Sequence, residues 1–254
     1  MIAVKPLGGL DAVVRMPGSK SYTQRAMVIA ALAEGESLLR DPLLSEDTLG
    51  LAGALRLLGT DVRTTDAEMI VRGAGGKIAR PPHELHLGNN GTAIRLLAGM
   101  VSLGEGPFVL TGDPRLCERP MKPLLDALTD IGVAIHTDGE RGYPPVTIRG
   151  GRLRGGKVVL RDIGSSQYVS SLLIVAPFAA AETVIVLEGR IPSLPYIALT
   201  VETMRDFGVT VSADRADRYV VKCGQRYRGR EYRVEGDASS ASYFFLAAAL
   251  LKGR

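Results

Sequence analysis

The chain has 254 residues, 46% of them hydrophobic and 23% charged, with a formal charge of +4. That balance belongs to a soluble globular protein with enough chain for a full core, and no apolar run approaches the roughly 20 residues of a membrane helix. Lysine and arginine are scattered and tryptophan is absent, which disfavours nucleic acid and favours a small anionic ligand.

The N-terminal stretch has no uninterrupted apolar segment of the kind a secretory leader carries, so a cytoplasmic location is expected. The alternating "LDAVVRM" reads as a strand leading into "PGSKSYTQR", a turn rich in hydroxyls and cations, and then into the apolar helix "AMVIAALA". A second helix, "GALRLLG", stops at Gly59, where a left-handed glycine cap is expected, and the strands "TDVRT" and "MIVRG" follow as a hairpin. The same order returns from "ELHLGNNGTAIRLLAGMV", through a helix ending at Gly132, to "VAIHT" and "VTIRG". It returns again from "KVVLRDIGSSQYVSSLLIVA", through a helix ending at Gly208, to "VTVSA" and "YVVKCG". A fourth copy opens with "EYRVEGDASSASYFFLAAAL".

The turn glycines Gly18, Gly88, Gly164 and Gly236 are 70, 76 and 72 residues apart. The chain is therefore an α/β protein of repeated β-α-β-α-β-β units. The expected organisation is a three-unit domain over 15–225, with units about 15–75, 76–150 and 151–225. Residues 1–14 and 226–254 then belong to a second domain, which the sequence enters without completing.

Each strand-to-helix turn places Ser, Thr, Asn or Gly where a helix N-terminus offers unpaired N–H groups and a positive dipole end, the local chemistry of phosphate and carboxylate binding. Ordinary capping explains any one turn; equivalent turns in three units would meet on a shared face. Lys20 and Arg25 flank the first turn, and "GDPRLCERPMKP" carries Arg119 in a proline-constrained loop. Arg95 and Arg115 are assigned to the solvated surface. "GRLRGGKV" has P-loop-like spacing but lacks the Ser or Thr and precedes a strand, so it is rejected. His83 and His86 lack further ligands for zinc, and no metal or cofactor is expected. Cys117 and Cys223 are read as free thiols.

Taken together and in order, "PGSKS", "LGNNGTA", "GDPRLCERP", "SSQYVSSLL", "PSLPYIALT" and "GDASSASYF" resemble the 5-enolpyruvylshikimate-3-phosphate synthase family across essentially the whole chain. The resemblance implies the enolpyruvyl transferase fold, an inside-out α/β barrel of six such units in two domains closing over a cleft. It implies transfer of the enolpyruvyl group of phosphoenolpyruvate to the 5-hydroxyl of shikimate 3-phosphate, with release of phosphate, by a protein that works as a monomer. By position it places Lys20, Ser21, Arg25, Ser165, Ser166, Gln167, Ser193 and Tyr196 on shikimate 3-phosphate. Lys20, Asn89, Gly91, Arg119 and Gln167 fall on phosphoenolpyruvate, with Lys20 also moving a proton. Gly91 is expected to leave space for the ligand.

Two positions depart from the family pattern. Asn90 replaces a small residue, and Leu96 stands where many members have Pro. The family's catalytic carboxylates come from its second domain, so negligible turnover by this chain alone is expected; Asp47 and Asp237 are not promoted to replacements. The related enolpyruvyl transferase acting on UDP-N-acetylglucosamine is the enzymatic alternative, disfavoured because Cys117 lies too close to Arg119. A non-catalytic anion-binding half-domain is the alternative of another class.

Overall fold

A computed structural model describes residues 8–137, 142–215 and 217–251. The first unit runs α1 (Lys20–Leu32), β1 (Glu34–Arg40), α2 (Glu46–Leu57), β2 (Asp61–Thr64) and β3 (Glu68–Ala74). The second is β4 (Leu85–His86), α3 (Gly91–Val101), β5 (Pro107–Thr111), a one-turn α4 (Pro114–Cys117), α5 (Lys122–Asp130), β6 (Ala134–Thr137) and β7 (Val146–Arg149). The third is β8 (Gly156–Arg161), α6 (Gln167–Val175), β9 (Thr183–Glu188), α7 (Pro195–Asp206), β10 (Val211–Arg215) and β11 (Arg218–Val221); β12 (Glu231–Arg233) and α8 (Ala238–Leu251) follow.

These strands form three four-stranded sheets with one plan, β12-β1-β3-β2, β4-β5-β7-β6 and β8-β9-β11-β10, and among the described residues no closed barrel. In each, the first pair is parallel and the rest antiparallel, with Leu39 opposite Tyr232, Leu85 opposite Leu110 and Val158 opposite Ile185. The hairpins β2–β3, β6–β7 and β10–β11 form where the turn chemistry placed them. The helices before them end at glycines with φ of +88°, +104° and +92° (Gly59, Gly132, Gly208), a left-handed backbone that carries no Cβ penalty there.

The leading strand expected over "LDAVVRM", Leu10–Met16, is not formed. Residues 9–17 carry no strand, and the place beside β1 is taken by β12, more than 200 residues along the chain. The Arg40 guanidinium reaches both Glu231 and Glu68 and so ties β12 to β1 and β3. Of the segment 1–14 assigned to a second domain, residues 1–7 lie outside the described residues.

Helices α1, α3 and α6 are apolar on nearly every side, a pattern that suits a helix enclosed by other elements. They fill the interior: Met27, Val28, Ile29, Leu97, Met100, Val169 and Leu173 are fully buried, and the sheets lie outside. Gly99 permits a close approach of α3 to α6, since a Cβ there would lie 2.5 Å from Ser171 Oγ and 2.8 Å from its carbonyl. The three helices therefore run together with their N-termini at one end.

A short antiparallel crossing joins this body to the remainder. Ser19 N–H donates to the Glu235 carbonyl at 2.8 Å and Asp237 N–H to that of Pro17 at 2.9 Å. Beyond it α8 buries none of its residues, with Tyr243, Phe245 and Leu250 each more than 70% exposed. Among the described residues no helix is long and apolar enough to cross a membrane.

Candidate active site

The N-terminal ends of α1, α3 and α6 open into a cavity of about 560 Å³. All eleven residues singled out from the sequence line it: Lys20, Ser21 and Arg25 from α1; Asn89, Gly91 and Arg119 from the second unit; Ser165, Ser166, Gln167, Ser193 and Tyr196 from the third. Arg115 is exposed and stands apart from the lining, as does Cys117, whose Sγ turns to the Gly112 carbonyl at 3.5 Å.

Arg25 is the central cation. It is 1% exposed, yet Nε donates to Thr200 Oγ1 at 2.7 Å, Nη2 to Ser170 Oγ at 3.1 Å and Nη1 to the Ser21 carbonyl at 3.1 Å, all neutral oxygens. The guanidinium also stands 5.8 Å from the centroid of the Tyr196 ring. Burial pulls its pKa from 12.5 to about 10. A cation taken out of water with neutral partners only is costly until an anion joins it.

Lys20 behaves differently. It is half-exposed, and Nζ donates to Asp47 Oδ2 at 2.9 Å. Asp47, on the first turn of α2, is the one carboxylate lining the cavity among the described residues. Asn90 holds that turn in place: Nδ2 donates to the Asp47 carbonyl at 2.8 Å while Oδ1 caps α3 by accepting from Ala93 N–H at 2.9 Å. The departure from the family pattern at Asn90 is thus a helix cap that also fastens the Lys20 partner.

The N-cap residues of α1 and α6, Ser19 and Ser166, make no side-chain capping bond. In the first turn of α6, Gln167 N–H donates instead to Ser165 Oγ at 3.2 Å and Tyr168 N–H to the Ser165 carbonyl at 3.4 Å. Ser193 holds a left-handed backbone (φ +57°), a costly conformation for a side-chain-bearing residue that recurs at binding sites. Gly91 is tight against protein: a Cβ there would lie 2.9 Å from Arg119 Nη1.

The assignment of Arg95 to the solvated surface is corrected. Arg95 lines the cavity, its Nη1 donates to Gln167 Oε1 at 2.6 Å, and its guanidinium covers the Tyr168 ring at 5.1 Å. It projects from α3 toward α6, which packs beside it, and burial lowers its pKa.

The wall thus carries Lys20, Arg25, Arg95 and Arg119 against one carboxylate, with helix N-termini behind them: an α/β protein built to hold a small, multiply charged anion. The profile of the EPSP synthase (3-phosphoshikimate 1-carboxyvinyltransferase) family matches residues 4–254, and the chain belongs to that family. It is 44% identical to the 3-phosphoshikimate 1-carboxyvinyltransferase of Sulfurovum sp. and 46% identical to that of Methanothermobacter thermautotrophicus, over 99% of this chain in each case. Among solved structures, EPSP synthase from Acinetobacter baumannii superposes with a TM-score of 0.86 at 31% identity over 95% of this chain. The chain spans 60% and 59% of those two relatives and 54% of the solved chain.

Proposed function

We propose that this chain binds shikimate 3-phosphate and phosphoenolpyruvate in the cavity and supplies one wall of an enzyme that joins them. In the reaction the 5-hydroxyl oxygen adds to C2 of phosphoenolpyruvate while C3 takes up a proton. Loss of a C3 proton and departure of inorganic phosphate then restore the double bond.

The observation that carries this reading is Arg25, a buried guanidinium whose protein partners are all neutral. A ligand carboxylate or phosphate supplies the missing charge. Ser165, Ser166 and the N-terminus of α6 offer donors for the phosphate of shikimate 3-phosphate, with Ser21, Ser193 and Tyr196 around its ring. Asn89, Gly91 and Arg119 face phosphoenolpyruvate, with Lys20 and Gln167 between the two ligands. Lys20, half-exposed and paired with Asp47, is the group on this wall suited to carrying a proton. The general base and further cations come from outside the described residues, so this chain alone binds without appreciable turnover.

Cys117 favours this assignment over a UDP-sugar enolpyruvyl transferase with a reactive cysteine, because its thiol points into the protein away from the cavity. Calorimetric titration in phosphate-free buffer tests the reading. Saturable heat with shikimate 3-phosphate is expected, lost in Lys20→Ala and absent with UDP-N-acetylglucosamine. Binding of the UDP-sugar instead overturns it, and rapid phosphate release by the purified chain overturns the statement about turnover.

A further inference from the structure

Arg95 occupies the place in its unit that Arg25 occupies in the first. Each lies seven residues past the glycine of its turn, Gly88 and Gly18. Their partners differ. Arg25 bonds to the hydroxyls of Thr200 and Ser170 behind the cavity wall and to the Ser21 carbonyl, whereas Arg95 bonds to Gln167, which lines the cavity, and to the Pro120 carbonyl beside Arg119.

Two bonds define what Arg95 does. Nη1 takes Gln167 Oε1 at 2.6 Å, which turns the amide so that Nε2 donates to Thr92 Oγ1 at 2.9 Å. Nη2 donates to the Pro120 carbonyl at 3.2 Å, an acceptor shared with Tyr168 Oη at 2.7 Å. Pro120 follows Arg119 directly, so this second bond anchors the loop that carries the other guanidinium. The two arginines also share a point in space: a Cβ on Gly91 would lie 2.9 Å from Arg119 Nη1 and 3.8 Å from Arg95 Nη1. Like charges held so close on a cavity wall favour an anion between or beside them.

We infer that Arg95 is a positioning residue for the phosphoenolpyruvate side of the pocket: it sets which way the Gln167 amide faces and, through Pro120, where Arg119 stands. The inference rests on the ligand assignment proposed above. Charge alone does not serve, because a lysine at this position keeps the charge but lacks the planar fork whose two nitrogens reach Gln167 and Pro120 at once beside the Tyr168 ring.

The test uses the whole chain with Arg95→Lys and Arg95→Gln. Shikimate 3-phosphate is titrated alone, and phosphoenolpyruvate in its presence. Both variants are expected to lose about tenfold or more toward phosphoenolpyruvate, the worth of one or two charge-assisted hydrogen bonds, and no more than about threefold toward shikimate 3-phosphate. A parallel fall in both affinities, or full rescue by lysine, overturns the inference. A second readout needs no ligand: in nuclear magnetic resonance spectra the Gln167 side-chain amide shifts in both variants, while the backbone amides of Ser170 and Thr200 stay in place. An unshifted Gln167 amide overturns the inference. If the parent chain binds neither ligand, the functional proposal falls, and the Gln167 amide still decides the role of Arg95.

Discussion

Replacing Arg25 by methionine separates stability from binding at this site. The fall of its pKa from 12.5 to about 10 means that the fold disfavours the charged guanidinium by about 3 kcal/mol relative to water, at about 1.4 kcal/mol per tenfold. Methionine has a similar volume, though a shorter chain, and no charge to desolvate. The hydroxyls left behind are not orphaned, since Ser170 Oγ and Thr200 Oγ1 lie 2.8 Å apart, so that one can donate to the other while the second donates to its own helix carbonyl, that of Ser166 at 3.3 Å or Tyr196 at 2.8 Å. Arg25→Met should therefore be as stable as the parent or up to about 3 kcal/mol more stable, where an ordinary buried substitution costs about 1 kcal/mol or more. Urea unfolding followed by circular dichroism in phosphate-free buffer measures this, with an unchanged slope confirming the same unfolding reaction. Adding shikimate 3-phosphate should stabilise the parent by mass action and leave the variant unmoved. A variant less stable than the parent by more than about 1 kcal/mol, or one stabilised by the ligand to the same extent, refutes the view of Arg25 as a cation waiting for an anion.

Other consequences are as direct. Gly91→Ala pushes a methyl group against Arg119 Nη1, 2.9 Å away, and should weaken phosphoenolpyruvate several-fold while sparing shikimate 3-phosphate in a calorimeter; equal loss of both contradicts this. Asn90→Ala removes the α3 cap and the tie to Asp47, costing about 1–2 kcal/mol in urea unfolding; no loss means the cap is dispensable. Burial, reinforced by Glu235, raises the Tyr22 pKa from 10.0 to about 12. The folded state therefore holds its proton after the unfolded chain has released it, so this contribution to stability is complete below pH 10 and is lost as pH rises toward 12. Subtracting the ultraviolet titration of Tyr22→Phe from that of the parent isolates this phenol, and a midpoint at 10 or below contradicts the assignment.

Much of this architecture could be read locally. The left-handed caps at Gly59, Gly132 and Gly208 and the hairpins after them depend on a few neighbouring residues, and the repeated turns announced where the helix N-termini would meet. What failed was nonlocal. Nothing in "VVRM" says that its place beside β1 goes to Glu231–Arg233, because strand partnership across such a distance is settled by the closing of the first sheet. Arg95 was misplaced because an isolated arginine on an apolar helix resembles a surface charge; its seven-residue spacing from Gly88, identical to that of Arg25 from Gly18, was the available signal. Asn90 looked like a departure because its two partners, Ala93 and Asp47, lie on separate helices. Asp47, set aside in the sequence as a replacement carboxylate, became visible as the partner of Lys20 only once Lys20 had a position.

Where the anion sits decides the role of this cavity. A crystal structure of this chain grown with shikimate 3-phosphate should place the phosphate against Ser165 and Ser166 at the start of α6, with Arg25 bonded to the ligand and Lys20 facing its ring. A ligand held elsewhere on the molecule, with the cavity filled by water around Arg25, contradicts it.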